Sequence, residues 1–160
     1  MIWARSRRKV PAMSQSHAKD IYAVVLAGGA GRRFGSTKQL AEYEGEALVR
    51  RAVTTAERVC GNRTLLVTGS DWQRVSSAAG PLAGFSLGNG SYEDGMSTSF
   101  RCGVRAVRDV AAAVLLLLGD QPLVTAAHLD AMRCRWRAEP ETIVATKYAG
   151  SIGVPALFPE

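Results

Sequence analysis

Two kinds of apolar pattern alternate along this chain. Unbroken apolar runs occupy residues 23–27 (AVVLA), 64–68 (TLLVT) and 110–118 (VAAAVLLLL), the pattern of strands buried on both faces of a parallel sheet. Between the first two, Leu48, Val49, Ala52, Val53, Ala56 and Val59 recur at threes and fours. That spacing predicts an amphipathic helix from about Ala47 to Val59, ended by Gly61-Asn62, with Arg50, Arg51, Glu57 and Arg58 solvated on its wet face. Strand, helix, strand is a right-handed βαβ unit.

The same reading continues downstream. Trp72, Val75, Ala78 and Ala79 predict a short helix before Pro81, with Trp72 as a packing residue. Residues 82–87 suit a short third strand, and Ser97, Thr98 and Ser99 suit an N-cap cluster opening a helix that carries Phe100, Cys102, Val104 and Val107. A helix over Thr125–Arg137 and a strand at Thr142–Thr146 follow. The pattern therefore predicts an α/β protein, a three-layer α/β/α sandwich on a mainly parallel, Rossmann-like sheet.

Composition narrows this only at the ends. A chain of 160 residues, 47% hydrophobic and 21% charged, suits one folded domain. The net charge of +6 hints at nucleic acid until it is located: Arg5, Arg7, Arg8 and Lys9 carry four of those charges in a first stretch without acids. Residues 1–19 are thus expected to be a disordered basic extension, with Met13 as an alternative start, and 20–160 the domain. No apolar h-region follows, and the 110–118 run is too short for a bilayer. Cys60, Cys102 and Cys134 lack metal-ligand spacing and imply free thiols. The expectation is a cytoplasmic protein with no nucleic-acid or membrane partner; no pattern here encodes an oligomeric state.

The chemistry concentrates at the end of the first strand, in Tyr22–Lys38 (YAVVLAGGAGRRFGSTK). Gly28, Gly29, Gly31 and Gly35 free the backbone to turn and approach a ligand, while Arg32, Arg33 and Lys38 add fixed cations, a combination suited to a polyphosphate. A P-loop is excluded, because no Gly-Lys-Ser/Thr triplet occurs. A dinucleotide fingerprint fits poorly, since Gly31 and Gly35 are one residue too far apart. A merely structural glycine turn remains the plainer alternative. At the far end of the 110–118 run, Gly119-Asp120-Gln121-Pro122 places a carboxylate directly beyond a buried strand. An unpaired charge there would be costly, and a divalent cation would relieve it; a helix cap or Asx turn is the plainer role. His128 reads as an unpaired surface residue.

LAGGAGRRFGSTKQL resembles the signature of the molybdenum-cofactor cytidylyl- and guanylyltransferases, Leu-Ala-(Ala/Gly)-Gly-x-x-x-Arg-x-Gly-x-x-Lys. Lys-Gln-Leu and Gly-Asp-Gln-Pro are similar to the cytidylyl branch, and Gly153–Phe158 resembles the segment where the acceptor approaches. The resemblance implies a sheet of the nucleotide-diphospho-sugar transferase type and transfer of CMP from CTP to a phosphate acceptor such as molybdopterin. It implies catalytic roles for Arg33, Lys38 and Asp120, with Asp120 holding Mg2+, or Mn2+ in its place. Leu26, Ala27, Gly28, Gly29, Gly31, Arg33, Lys38, Thr68, Asn89 and Ser97 are the implied nucleotide-binding residues.

Two alternatives stay open. Similar loops transfer guanylyl or uridylyl groups to other phosphorylated acceptors. Members of that family also continue past this point with a Gly-Ala-Arg turn and a late aspartate before Thr-Pro, for which this sequence has no counterpart. A nucleotide-binding but inactive domain, short of the family's C-terminal elements, is therefore the second expectation, and an NAD(P)-dependent oxidoreductase ranks below it.

Overall fold

A computed structural model describes residues 20–29 and 37–160. Strand β1 (Asp20–Ala27) is followed by a single 3-10 turn (Lys38–Leu40), a small hairpin of β2 (Glu42–Tyr43) and β3 (Glu46–Ala47), and helix α1 (Leu48–Cys60). Next come β4 (Thr64–Thr68), α2 (Trp72–Ala79), β5 (Phe85–Gly88), α3 (Met96–Val107) and β6 (Ala111–Leu118). Helix α4 (Ala126–Ala138) and strands β7 (Val144–Tyr148) and β8 (Ser151–Pro159) complete the chain.

Six strands form one sheet in the order β5-β4-β1-β6-β8-β7. The first four are parallel, whereas β8 runs antiparallel to both β6 and β7. The α/β/α architecture expected from the apolar pattern is the one observed. What the pattern did not reveal is that residues 144–159 double back as a hairpin within the sheet.

β1 is organised by its period of two. Ile21, Ala23, Val25 and Ala27 face α1, α2 and α4, and Tyr22, Val24 and Leu26 face α3. Every residue from Ile21 to Ala27 is buried, so the strand is a shared wall of two cores. On the α3 side the approach is close: a Cβ on Gly103 would meet Val24 Cγ1 at 2.5 Å, so a side chain there would push the helix off the sheet.

Several local readings change in three dimensions. Gly45 does not interrupt a helix; Glu44 (φ 54°) and Gly45 (φ 79°) make the left-handed pair that a two-residue hairpin turn needs. Trp72 is half exposed rather than packed, because it opens α2 beyond the carboxyl end of β4. Of the α1 residues expected on the wet face, Arg58 is exposed, but Arg50, Arg51 and Glu57 are not simply solvated. Arg50 donates to the carbonyls of Ala79 and Pro81, Arg51 donates to that of Pro122 at 2.9 Å, and Glu57 accepts from the Ala83 N–H. Helix α3 is capped by Gly95, with Ser97, Thr98 and Ser99 inside its first turn. Among the described residues no helix is long and apolar enough to cross a membrane.

All three cysteines are free, and Cys60 is buried at the end of α1. Burial pushes its thiol up from 9.0 to about 11, against the opposing pull of Arg63 and Arg133. Between those two values the unfolded chain loses the proton and the folded chain keeps it, so stability is full below pH 9 and falls as pH rises toward 11. The loss should be on the order of 2–3 kcal/mol. Urea denaturation at pH 8 and pH 10.5 should show a larger loss in the parent than in Cys60→Ala, which keeps the contribution of Cys102, whose thiol burial also pushes up.

Candidate active site

The site lies at the carboxyl edge of β4, β1 and β6, where parallel strands end and loops can converge on a ligand. Two backbone contacts set its floor. The Gly119 N–H donates to Leu26 O at 2.8 Å, extending the β1–β6 ladder one residue past the strand, and the Asn89 N–H donates to Thr68 O at 2.9 Å. A cavity of about 390 Å³ opens above, lined by Leu26, Gly28, Gly29, Gln39, Ser99 and Asp120 among others.

Lys38 and Asp120, 82 positions apart, meet at the cavity: Lys38 Nζ donates to Asp120 Oδ2 at 2.9 Å. Asp120 is therefore not an unpaired charge. Nor is it a helix cap, since Thr125 caps α4 by accepting from the His128 N–H at 3.2 Å. Arg51, bonded to Pro122 O, and Gln121, which accepts from the Leu118 N–H and donates to Val154 O at 2.8 Å, hold the loop that carries Asp120.

Behind Ser99, and not itself among the lining residues, the buried Asn89 engages both of its amide hydrogens, donating to Thr98 Oγ1 and Ser99 Oγ at 2.9 Å each. Its Oδ1 accepts from the Ser91 N–H at 3.0 Å. These bonds tie Asn89 to the first turn of α3 and hold the hydroxyl of Ser99, which lines the cavity. A Cβ on Gly28 would lie 2.9 Å from Ser99 Oγ, so the hydroxyl sits directly against that glycine.

The residues picked out from sequence thus divide. Leu26, Gly28, Gly29 and Asp120 line the cavity, and Lys38 joins them through Asp120. Ala27 and Thr68 are buried beneath it, with Ala27 facing the α1 core. Ser97 is exposed and does not line it; Ser99, two positions on, does. Gly31 and Arg33, with Arg32 and Gly35, lie outside the described residues. Gln39, Tyr92, Glu93, Met96 and Leu118 also line the cavity and were not singled out. Gln39 had a signal in the Lys-Gln-Leu triplet; Tyr92 had none, because only the turn at 92–95 brings it to the cavity.

Among the described residues no group of three His, Cys, Asp or Glu could enclose a metal. Lys38 takes one of the two Asp120 carboxylate oxygens. Asp120 and Glu93 are the carboxylates among the lining residues, too few to enclose a cation, so one bound here would draw most of its oxygens from a bound triphosphate and water, a donor set that magnesium accepts. The residues fit a cation carried in with the nucleotide.

A second cavity of about 370 Å³ is lined by Gln121, Leu123, His128, Thr146, Tyr148 and Pro155 among others, so the segment that carries Asp120 contributes to both cavities. His128 is paired there, contrary to expectation. Thr146 Oγ1 donates its one hydrogen to Pro155 O at 2.8 Å, so it accepts from His128 Nε2–H, also at 2.8 Å.

Comparison with known proteins bears on the fold and the family. Bifunctional protein GlmU from Rhizorhabdus wittichii is 30% identical over 119 residues, 73% of this chain but 26% of that protein; the chain spans about a quarter of the curated relative's length. The crystal structure of Rv0371c from Mycobacterium tuberculosis H37Rv matches with a TM-score of 0.78 at 27% identity, covering 90% of this chain and 73% of that one. Rv0371C in complex with manganese, also from M. tuberculosis H37Rv, matches with a TM-score of 0.71 at 25% identity, covering 89% and 72%. A family model described as MobA-like NTP transferase domain matches residues 23–160, and the chain belongs to that family.

Proposed function

We propose that this chain transfers a nucleoside monophosphate, CMP from CTP, to the phosphate of a small acceptor such as molybdopterin. The observation that carries this reading is the Lys38–Asp120 pair, a cation and a carboxylate brought together at the mouth of a glycine-lined cavity. In the transfer, an oxygen of the acceptor phosphate attacks the α-phosphorus, a new P–O bond forms, and the bond to the departing pyrophosphate breaks. No protein nucleophile is required, so positioning and charge neutralisation supply the acceleration.

The residues suit those tasks. The backbone at Gly28 and Gly29 approaches the phosphates closely, and Lys38 leaves Asp120 to neutralise charge developing near the α- and β-phosphates. Arg33, by resemblance, holds the departing pyrophosphate. Asp120, freed of Lys38, would hold Mg2+ or Mn2+, which supplies Lewis-acid stabilisation of the phosphoryl oxygens. The manganese bound by the related Rv0371C supports a divalent requirement. The second cavity, apolar at Leu123 and Pro155 and aromatic at Tyr148, suits a flat heterocyclic acceptor better than a sugar.

The test is pyrophosphate release with CTP, GTP and UTP in turn, with molybdopterin and Mg2+ or Mn2+. Release is expected with CTP, dependent on both acceptor and metal. Release with GTP or UTP alone would reassign the base, and metal-dependent CTP binding without release would identify a binding domain instead.

A further inference from the structure

We propose that Asp71 is a positioning residue for the transfer reaction, holding the backbone that carries Lys38 through a hydrogen bond to Thr37. This rests on the reading of Lys38 given above and extends it to a residue with no place in the glycine-rich signature.

Thr37 and Lys38 are consecutive, yet their side chains are tied to opposite sides of β1. Thr37 Oγ1 donates to Asp71 Oδ2 at 2.8 Å, and Lys38 Nζ donates to Asp120 Oδ2 at 2.9 Å. Asp71 follows β4 and Asp120 follows β6, the two strands that flank β1. The divergence is a backbone property: Thr37 is extended (φ −66°, ψ 101°), where successive side chains point apart. Thr37 O then accepts from the Leu40 N–H at 2.9 Å, so fixing Thr37 also fixes the turn on which Lys38 sits.

A lysine side chain has many rotamers, and its placement depends on where its backbone is anchored. On nucleotide binding Lys38 has to give up Asp120, which removes its own tether. The Thr37–Asp71 bond does not involve that exchange, and it keeps the ammonium within reach of both partners. Arg74 Nη1 shares Asp71 Oδ2 at 3.1 Å, but this arginine is largely exposed, and among the described residues its hydrogen bond is to Asp71 and not to Thr37 or Lys38. That gives a control.

Thr37→Val and Asp71→Ala should lower kcat about tenfold with KM for the nucleotide changed less than about threefold, the size of effect a small misplacement produces. Thr37→Ser, which keeps the hydroxyl, should restore the rate, and Arg74→Ala should behave as the parent. A second readout needs no turnover: acetylation of Lys38 by an N-hydroxysuccinimide ester, followed by peptide mass spectrometry, should be severalfold faster in Thr37→Val and Asp71→Ala only. Faster acetylation in a chain that turns over no nucleotide would uphold the tether and remove the transfer reading. Parent-like acetylation and kcat in both variants, with Lys38→Ala inactive, would overturn the tether and leave transfer intact.

Discussion

Asp120→Asn is expected to lower nucleotidyl transfer by about 10²–10³-fold, the range seen when one preorganised charge-stabilising group is removed from an active site. The substitution keeps the size and shape of the side chain and removes only the charge. Lys38→Ala should fall in the same range. The fold should survive both, because the Lys38 side chain is 43% exposed and that of Asp120 24%. An ion pair so open to water contributes only about 0–1 kcal/mol. Calorimetric titration with CTP and Mn2+, alongside pyrophosphate release, separates binding from turnover. If the two residues serve one charge-neutralising step, the double variant should be little worse than the weaker single one. Turnover within about threefold of the parent in both single variants would exclude the pair from the chemistry.

Gly69→Ala should be the most damaging small substitution at the site. A Cβ there would lie 2.3 Å from Gly28 O and 2.8 Å from Gly28 Cα, both backbone atoms. Neither can move freely, since β1 is paired on both sides up to Leu26 and the Leu26 carbonyl also holds Gly119. Overpacking of this kind costs about 1–3 kcal/mol, which for a domain of this size is a fall in Tm of about 3–10 °C. Because Gly28 lines the cavity, nucleotide affinity should fall as well. Gly88→Ala is the control: its Cβ would meet nothing within 4 Å, and it should leave stability within about 0.5 kcal/mol. Equal melting temperatures for the two variants would rule out the contact.

Strands and helices were legible wherever burial imposes a period. β1, β4 and β6 carry unbroken apolar runs because helices cover both faces of the sheet, and α1 carries its threes and fours because one side faces that sheet. The hairpin of β7 and β8 was harder to read, since β7 is an edge strand whose side chains are intermediate or exposed, so no single face had to be apolar. Trp72 was misjudged for a related reason: composition gives its affinity for a core, and only its place at the start of α2 removes it from one.

The site shows the same division. The cation-rich glycine segment and the carboxylate after a buried run are local patterns, and the sequence alone determined them: glycines where a backbone must approach a ligand, a charge where a strand emerges. It also determined the layered α/β fold, through periodicity that any partner surface would have required. The tertiary structure decided which of those residues meet. Lys38 and Asp120 are 82 positions apart, Thr37 and Asp71 are 34 apart, and the register of β4, β1 and β6 brings all four to one edge. It also chose Ser99 over Ser97, because a helix turns by 100° per residue and only one of the two can face the cavity. Local pattern records what a residue needs from its surroundings; which distant residue supplies it depends on strand order and helix rotation, and neither is written in any short stretch of chain.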